Sequence, residues 1–545
     1  MRKRILASIL GVALLATSAA GLVGCTSDVS DTVVFGINQS WDTLRIPDML
    51  NASCHQVASQ IYDKLVYIDE SQEVSPRAAK SWEWSDDGMT LTFYLNEDAM
   101  WHDGEPVTAA DWVFSAKFYA TSEVTFSVGT GIGKYLNGVD YSTGIETDTD
   151  SADIVAVDDY TLQLNFSSAW NQTSFMTSAL RSFYVIPQHC FLDDDGNQLS
   201  DEEIYNLTDY WNAPIGSGPY KYVSSITDSS ITLEAMDDWY LSDLAYKNLI
   251  IQVIDSSTAG DKILSGDVDA LGFSISVEVA ETYENNDGIT VLSESSPSTP
   301  VHICFNSSRI PYNIRAAVEY AINKEDVLEK YYGNNGYITD SVVHPDYPGS
   351  EGEHVTYDVD EAKAYVDAAV EAGEWDTATD ILKIGVVSST SETIMKYVAS
   401  YLNLVGIQTE VVYNEMTVIQ SSMAADSGDE DSTYEYGCAV WTVSDSFYPT
   451  TMMAVYGYYG SSLFFRFTSG MSTTPAYCYL AMQTASADEE LEIIDTFQDW
   501  EHENYPIVTL CYYSAYSVCS DKITGVDAFN AGNYNHATWL WEPAD

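Results

Sequence analysis

Apolar residues recur at helical spacing in the second half of this chain, and glycines follow two of the resulting stripes. The three stripes are Ile314, Ala317, Val318, Ala321 and Ile322; Tyr365, Ala369 and Val370 before Gly373; and Ile394, Val398, Tyr401, Leu402 and Val405 before Gly406. Spacings of i, i+3 and i+4 predict amphipathic helices, each with one buried face. Gly is favoured just after a helix because it readily adopts the left-handed backbone conformation. We therefore predict three helices here.

Short runs of β-type residues lie between these and other helical segments. Strands are predicted at 32–37, 161–166, 407–413 and 437–442, with helices at 53–65 and from Thr108, where Asp111 would complete a capping box. Asp86-Asp87-Gly88 separates two β-type runs and predicts a hairpin turn. Helices that alternate with strands in this way indicate an α/β protein.

Composition excludes several classes of protein. The chain has 545 residues, of which 46% are hydrophobic and 13% aromatic, so it can bury large cores and is not an acidic disordered protein. It carries 22 Lys+Arg against 82 Asp+Glu, a formal net charge of −60. Such a surface repels phosphate backbones and anionic lipid, which excludes nucleic acid as a partner. We interpret the charge as a solvated coat suited to an acidic or saline habitat or an anionic wall.

The N-terminus has the organisation of an export signal. Arg2, Lys3 and Arg4 precede an apolar run over 5–20, too short to span a bilayer, and the run leads to Leu22-Val23-Gly24-Cys25. The order is that of a bacterial lipobox, which predicts cleavage before Cys25 and a lipid on its side chain. The mature protein is then tethered to the outer face of the cytoplasmic membrane. An ordinary signal peptide with a chance cysteine is the alternative.

The other seven cysteines do not form a recognisable zinc or redox motif, because no two have C-x-x-C spacing. Cys304 and Cys438 lie in strand-like runs and could form a disulfide if those strands are neighbours. We favour the alternative that they are small buried hydrophobic residues.

Catalytic and metal motifs fail on their spacing. His502-Glu503 lacks the second histidine of a zincin helix, and residues 129–134 lack the first Gly and the Ser/Thr of a phosphate-binding loop. In residues 193–197 the Gly falls at loop position 4 rather than 6, which favours a turn over a calcium site. Among 82 acidic residues, paired carboxylates carry no information about hydrolysis. We predict no enzyme, no cofactor and no metal site.

Four segments carry a family resemblance. The first is Trp101-His102-Asp103-Gly104-Glu105-Pro106-Val107-Thr108-Ala109-Ala110-Asp111-Trp112-Val113-Phe114-Ser115, preceded by residues 79–95; the others are 214–220, 315–324 and 357–365. Together they resemble the signature of the family 5 extracellular solute-binding proteins, the peptide, nickel and oligosaccharide receptors of ABC importers. The resemblance covers nearly all of the mature chain.

The resemblance implies a two-lobed α/β clamp of the periplasmic-binding-protein type (type II, cluster C) with an extra N-terminal α+β subdomain. The implied division is a signal peptide at 1–24, lobe I at 25–72, 209–300 and 505–545, the extra subdomain at 73–208, and lobe II at 301–504. A ligand would lie between the lobes and be enclosed by hinge closure, with the two crossings between lobes as the hinge.

In peptide-binding members, an Asp after a lobe II strand pairs with the ligand's α-ammonium group. Asp445 keeps that family's spacing to Pro449, although the spacing from Trp441 is one residue longer. The resemblance thus implies Asp445 as the ammonium ligand and Trp441 as a pocket wall; a loop-capping role for Asp445 is the alternative. The implied function is a monomeric, lipid-anchored receptor that delivers oligopeptides or dipeptides to an ABC permease. An oligosaccharide or other solute remains open, as do a surface hydrolase and a signalling receptor. Nickel binding lacks a histidine cluster to support it.

Overall fold

The computed structural model describes residues 31–41, 43–49, 51–69, 73–119, 154–166, 172–284, 286–293, 299–352, 356–414, 418–419, 438–441, 449, 453, 474–482, 485–527 and 536–544. Helices in these ranges alternate with strands. The α-helices are Ala52–Ile61, Ala109–Tyr119, Gln172–Ser174, Asp201–Tyr205, Thr208–Asn212, Ala259–Ser265, Val277–Tyr283, Tyr312–Ala321, Lys324–Tyr332, Val359–Glu371, Ser389–Leu404, Thr474–Met482 and Ala487–Asn504. Within the described ranges, none of the helices has both the length and the apolarity needed to cross a membrane.

Seven strands form the first sheet, which defines lobe I. Their order across the sheet is Ile289–Ser293, Tyr516–Ser520, Ala270–Leu271, Thr32–Ile37, Asn248–Val253, Ser230–Ala235 and Tyr220–Ile226. Successive side chains of a strand point to opposite faces. Accordingly Val33, Phe35 and Ile37 enter one hydrophobic core, and Val34 packs against another. Both faces of the sheet are therefore covered.

Six strands form the second sheet, which defines lobe II. Their order is Gly336–Tyr337, Ile507–Tyr513, Thr299–Phe305, Cys438–Trp441, Ile381–Val386 and Gln408–Tyr413. All seven residues of Thr299–Phe305 are buried, as expected for a central strand covered on both faces. Ile303 and Phe305 enter one core and Cys304 the other.

A four-stranded antiparallel sheet forms the extra subdomain. Its order is Ala79–Trp84, Thr90–Leu95, Thr161–Asn165 and Ile154–Asp158. Two short pairs complete the strands: Val66–Ile68 with Val74–Pro76, and Ile523–Thr524 with Glu542–Pro543. The subdomain side chains Trp101 and Trp112 belong to the same core as Phe35 of the first sheet. The subdomain is therefore packed onto lobe I through a shared hydrophobic core.

The structure confirms the three predicted amphipathic helices, and the strands on either side of Asp86-Asp87-Gly88 pair as the predicted hairpin. The three amphipathic stripes lie on Tyr312–Ala321, Val359–Glu371 and Ser389–Leu404, with Ile322 and Val405 one residue past the ends of two of these helices. Val370 is exposed rather than buried. Gly373 and Gly406 have φ of +71° and +93°. The Asp111 carboxylate accepts the Thr108 backbone N–H over 2.9 Å, as the capping prediction requires.

One helix is shorter than predicted, and one candidate loop is a turn. The helix predicted at 53–65 covers Ala52–Ile61, because Tyr62 adopts an extended conformation and Lys64 forms a bridge with Tyr184. In the segment considered for calcium, the Asp193 carboxylate accepts the backbone N–H groups of Asp195 and Asn197, which is the turn geometry. Residues 129–134 lie outside the described residues.

The strands of Cys304 and Cys438 are neighbours, but the two residues are out of register. Cys304 lies opposite Ala439, and Cys438 lies opposite Phe305. Cys438 carries a free, buried thiol. The open possibility of a Cys304–Cys438 disulfide is thus wrong, and the preferred interpretation as small buried hydrophobic residues agrees with the structure.

The implied division returns the chain to lobe I at residue 505, but the strand pairing places this second crossing between the lobes several residues later. Ile507–Tyr513 pairs with Thr299–Phe305 of the second sheet, and Tyr516–Ser520 pairs with Ile289–Ser293 of the first. The chain therefore returns to lobe I at Ser514 and Ala515. The division into domains as a whole stays a prediction.

Candidate functional site

The carboxyl ends of the parallel strands lead to one region between the lobes. In lobe I, Thr32–Ile37 and Ala270–Leu271 are parallel, and the second is followed by residues 272–276 and a helix. In lobe II, Ile381–Val386 and Cys438–Trp441 are parallel, and the first is followed by helix Ser389–Leu404. Ligands of open α/β sheets bind at such carboxyl ends.

A cavity of about 360 Å³ lies where these segments meet. Its lining comes from both lobes and from the second crossing: Ser274, Ile275, Ser276, Val277 and Glu278 from lobe I; Tyr331, Tyr332, Thr390, Thr393, Ile394 and Tyr513 from lobe II; and Ser514 and Tyr516. The volume is within the range of small-ligand pockets. Because Ser274, Ser276 and Glu278 are exposed, the cavity is open to solvent.

Hydroxyl groups and aromatic rings dominate the cavity wall. Nine of the thirteen lining residues carry a hydroxyl, and Glu278 is the only Asp, Glu, Lys, Arg or His among them. The rings of Tyr332 and Tyr513 stack with centroids 4.1 Å apart, which fixes one side of the wall. Burial raises the pKa of Tyr332 well above its ordinary value, so this hydroxyl is neutral. The wall can therefore donate and accept many hydrogen bonds and offers one carboxylate to a cation.

Two of the family-like motifs contact each other outside this cavity. His102 accepts the Gly216 N–H at Nδ1 (3.1 Å), and its Nε2 lies 3.0 Å from the Gly218 carbonyl oxygen. Burial lowers the pKa of His102 to about 4, so the ring is neutral and Nε2 donates. A Cβ on Gly216 would lie 1.9 Å from the Ile61 carbonyl oxygen, so only glycine fits there. These motifs join the subdomain to lobe I.

The charged residues of the 315–324 motif are also structural. Arg315 donates to the carbonyl oxygens of Asn504 (2.9 Å) and Tyr505 (3.0 Å), at the end of helix Ala487–Asn504. Lys324 forms a buried ion pair with Glu319 and donates to the Thr339 carbonyl. The motifs therefore mark the fold, and the cavity wall is made by other residues.

Asp445 and Trp441 stay predictions as ligand-binding residues. Trp441 ends its strand opposite His302 on the neighbouring strand, at the same sheet edge as the start of helix Ser389–Leu404. Its backbone is thus on the cavity side of lobe II. Asp445, and Cys25 at the predicted lipid attachment point, lie outside the described residues.

Sequence reasoning missed the lobe I side of the cavity. Ser274–Glu278 contains no catalytic or binding motif; its one local signal is Ser276, which caps helix Val277–Tyr283 by accepting the Val279 N–H. Tyr513 and Tyr516 flank the second crossing, a position that only the sheet pairing reveals.

Solved structures show the same fold. A periplasmic oligopeptide-binding protein from Borrelia burgdorferi superposes with a TM-score of 0.75 and 20% identity over 94% of this chain and 100% of that chain. NikZ from Campylobacter jejuni, crystallised with Ni(L-His), gives 0.74 and 18% over 94% and 100%. AppA from Bacillus subtilis, crystallised with a nonapeptide, gives 0.70 and 17% over 94% and 99%. The predicted two-lobed α/β clamp is confirmed.

Curated relatives match part of the chain. Heme-binding protein A of Haemophilus influenzae is 24% identical over 56% of this chain and 55% of its own length. Dipeptide-binding protein DppE of Bacillus subtilis is 22% identical over 55% and 53%. The chain thus matches little more than half the length of these relatives.

The sequence model of the bacterial extracellular solute-binding proteins, family 5 (middle region), matches residues 73–462, which is more than half of the chain. The match includes the extra subdomain and much of both lobes. The chain therefore belongs to the family 5 bacterial extracellular solute-binding proteins, a family of binding proteins and not of enzymes.

Proposed function

We propose that this protein is the substrate-binding receptor of an ABC importer, which captures oligopeptides or dipeptides between its lobes and delivers them to the permease. The observation that carries the proposal is the interlobe cavity, whose described wall has many hydroxyl groups and the carboxylate of Glu278. Peptides present amide groups that pair with hydroxyls, and an α-ammonium group that pairs with a carboxylate. Several relatives are named as dipeptide- or oligopeptide-binding proteins.

In this proposal Asp445 and Trp441 act from lobe II, as ammonium ligand and pocket wall, while Glu278 adds a carboxylate from lobe I. Asp445→Asn is expected to weaken peptide binding without unfolding the protein. Calorimetry with a peptide pool tests this role: an unchanged affinity would remove Asp445 from the site and leave Glu278 as the candidate carboxylate.

An oligosaccharide is the second candidate ligand. The composition of the cavity wall also suits a sugar, because tyrosine rings stack on sugar rings and side-chain hydroxyls form hydrogen bonds with sugar hydroxyls. A thermal-shift screen of peptides against oligosaccharides separates the two, since a ligand that binds only the folded protein raises the melting temperature. Stabilisation by sugars and not by peptides would overturn the peptide assignment.

The receptor is also proposed to be a monomer held at the outer face of the cytoplasmic membrane by a lipid on Cys25. Mass spectrometry of the protein purified from membranes tests the lipid, and Cys25→Ser is the control. A mature N-terminus elsewhere than Cys25 would contradict it.

A further inference from the structure

Three side chains with metal-binding atoms converge on the extra subdomain. Asp103 lies in the turn after Trp101 and His102, and His189 and Cys190 lie in the short 3-10 helix Gln188–Phe191. A carboxylate oxygen, an imidazole nitrogen and a thiol sulfur from these residues all lie within 4.8 Å of one another. His189 Nε2 and Asp103 Oδ2 are 2.8 Å apart.

Both segments are fixed by the surrounding structure. The Asp111 carboxylate accepts the backbone N–H groups of Thr108 and Gln188, at 2.9 Å each, and so ties the segment after Asp103 to the segment that carries His189 and Cys190. The indole of Trp101 packs edge-on against the His189 ring, with centroids 6.2 Å apart. Such support holds potential ligands in a defined arrangement.

The three atom types select a class of ion. Imidazole nitrogen and thiolate sulfur suit zinc and similar transition metals, whereas calcium and magnesium take oxygen ligands. In a tetrahedral zinc site the ligand atoms are about 3.3–3.8 Å apart, a value that follows from bonds of about 2.0–2.3 Å. In this structure the Asp103 and His189 atoms are 2.8 Å apart and all three atoms lie within 4.8 Å of one another, distances that bracket the spacing of a zinc site. Three protein ligands leave a fourth position for water.

We propose that Asp103, His189 and Cys190 form a binding site for a zinc-class divalent cation on the extra subdomain. None of the three lines the interlobe cavity, so the site is separate from the solute site. A bound ion would join the turn at Asp103 to the 3-10 helix and stabilise the subdomain.

Titration of the chelator-treated full chain with Co²⁺ tests the proposal, because a thiolate bound to Co²⁺ gives a near-ultraviolet charge-transfer band. We expect a band that saturates at one equivalent and is displaced by Zn²⁺. Cys190→Ser should abolish it, and Asp103→Asn or His189→Gln should weaken binding at least tenfold. Zn²⁺ should raise the melting temperature of the parent protein and not of Cys190→Ser.

Glu105→Gln is the matched control, because Glu105 is an exposed acid on the same turn and is not one of the three proposed ligands. It should bind Co²⁺ like the parent protein. A parent protein without the band, or a Cys190→Ser variant that keeps it, would overturn the proposal. Asp103 is exposed, so Asp103→Asn is expected to fold even if Cys190→Ser does not; unchanged Co²⁺ affinity in Asp103→Asn would also count against the site.

Discussion

The side-chain amide of Asn335, in lobe II, donates a hydrogen bond to the phenol oxygen of Tyr516 over 2.8 Å, next to the second crossing between the lobes. The same amide lies 3.2 Å from the Ser293 hydroxyl, at the end of the last lobe I strand before the first crossing. The backbone carbonyl oxygen of Asn335 accepts the Ser514 backbone N–H over 3.0 Å. One residue of lobe II therefore contacts the last described residue before the first crossing and two residues at the second crossing.

We expect Asn335→Ala to loosen this hinge. It removes two side-chain hydrogen bonds worth about 1 kcal/mol each, so local opening becomes about fivefold more frequent if one bond restrains it and about thirtyfold if both do. Hydrogen exchange measured by mass spectrometry on peptides that contain Ser514 should be faster by one of these two factors. Asn403→Ala, on an exposed helix position, is the control. Equal exchange in both variants would show that Asn335 does not restrain the crossing.

Glu278→Gln tests the charge of the cavity. Glu278 is exposed, so its attraction for an ammonium group is partly screened, and we expect a loss of about two- to fivefold in affinity for peptides with a free N-terminus. Calorimetry with the free and the N-acetylated form of one peptide measures this loss. The affinity for the acetylated form should be the same in Glu278→Gln and in the parent protein. Glu281→Gln, on the same helix but away from the cavity lining, should bind like the parent protein.

Gly216→Ala tests the junction between the subdomain and lobe I. The added Cβ would lie 1.9 Å from the Ile61 carbonyl oxygen, a backbone atom, so the junction must move. We expect a loss of about 3 kcal/mol or more in the free energy of unfolding. Gly373→Ala meets nothing within 4 Å and bears only the strain of φ +71°, about 1 kcal/mol. Similar losses in the two variants, measured by urea unfolding, would refute the packing argument.

Acid should destabilise the same junction through His102. Its folded pKa is lowered to about 4 from an ordinary 6.5 because the neutral ring is buried, so the unfolded state binds the proton more readily. The contribution is therefore fully present above pH 6.5 and is lost as pH falls toward 4, by up to about 3 kcal/mol. His102→Asn should be less stable at neutral pH but lose less stability on acidification. The free energy of unfolding of both proteins is measured by urea unfolding from pH 7 to pH 4. An equal loss of stability in the parent protein and in His102→Asn would contradict the role of His102.

The helices and turns were predictable because their signals are local. The stripe from Ile394 to Val405 and the glycine at 406 lie within one short segment, so the pattern that predicts the helix and its end can be read from neighbouring residues. The same holds for the hairpin turn at Gly88, whose φ is +67°. The end of the first helix was mispredicted because Lys64 bridges to Tyr184, which is distant in sequence.

The candidate site was predictable only as a region. The sequence predicts the strand at 437–442, and Trp441 is the last residue of the observed strand Cys438–Trp441. The facing wall from Ser274 to Glu278 lacks a motif, and its role depends on which strands are parallel and which segments cross between sheets. The sheet neighbours of Tyr513 and Tyr516 come from segments more than 170 residues away in the chain.

The sequence by itself determined the α/β class, the family and the positions of most of the elements identified from it, because helical spacing, glycine placement and motif order are properties of neighbouring residues. Only the tertiary structure decided what those residues do. It assigned His102 and Lys324 to structural contacts, brought Glu278 to the cavity, and set Asp103 beside His189 and Cys190. The physical reason is that a side chain's environment comes from segments far apart in the chain, which only folding brings together.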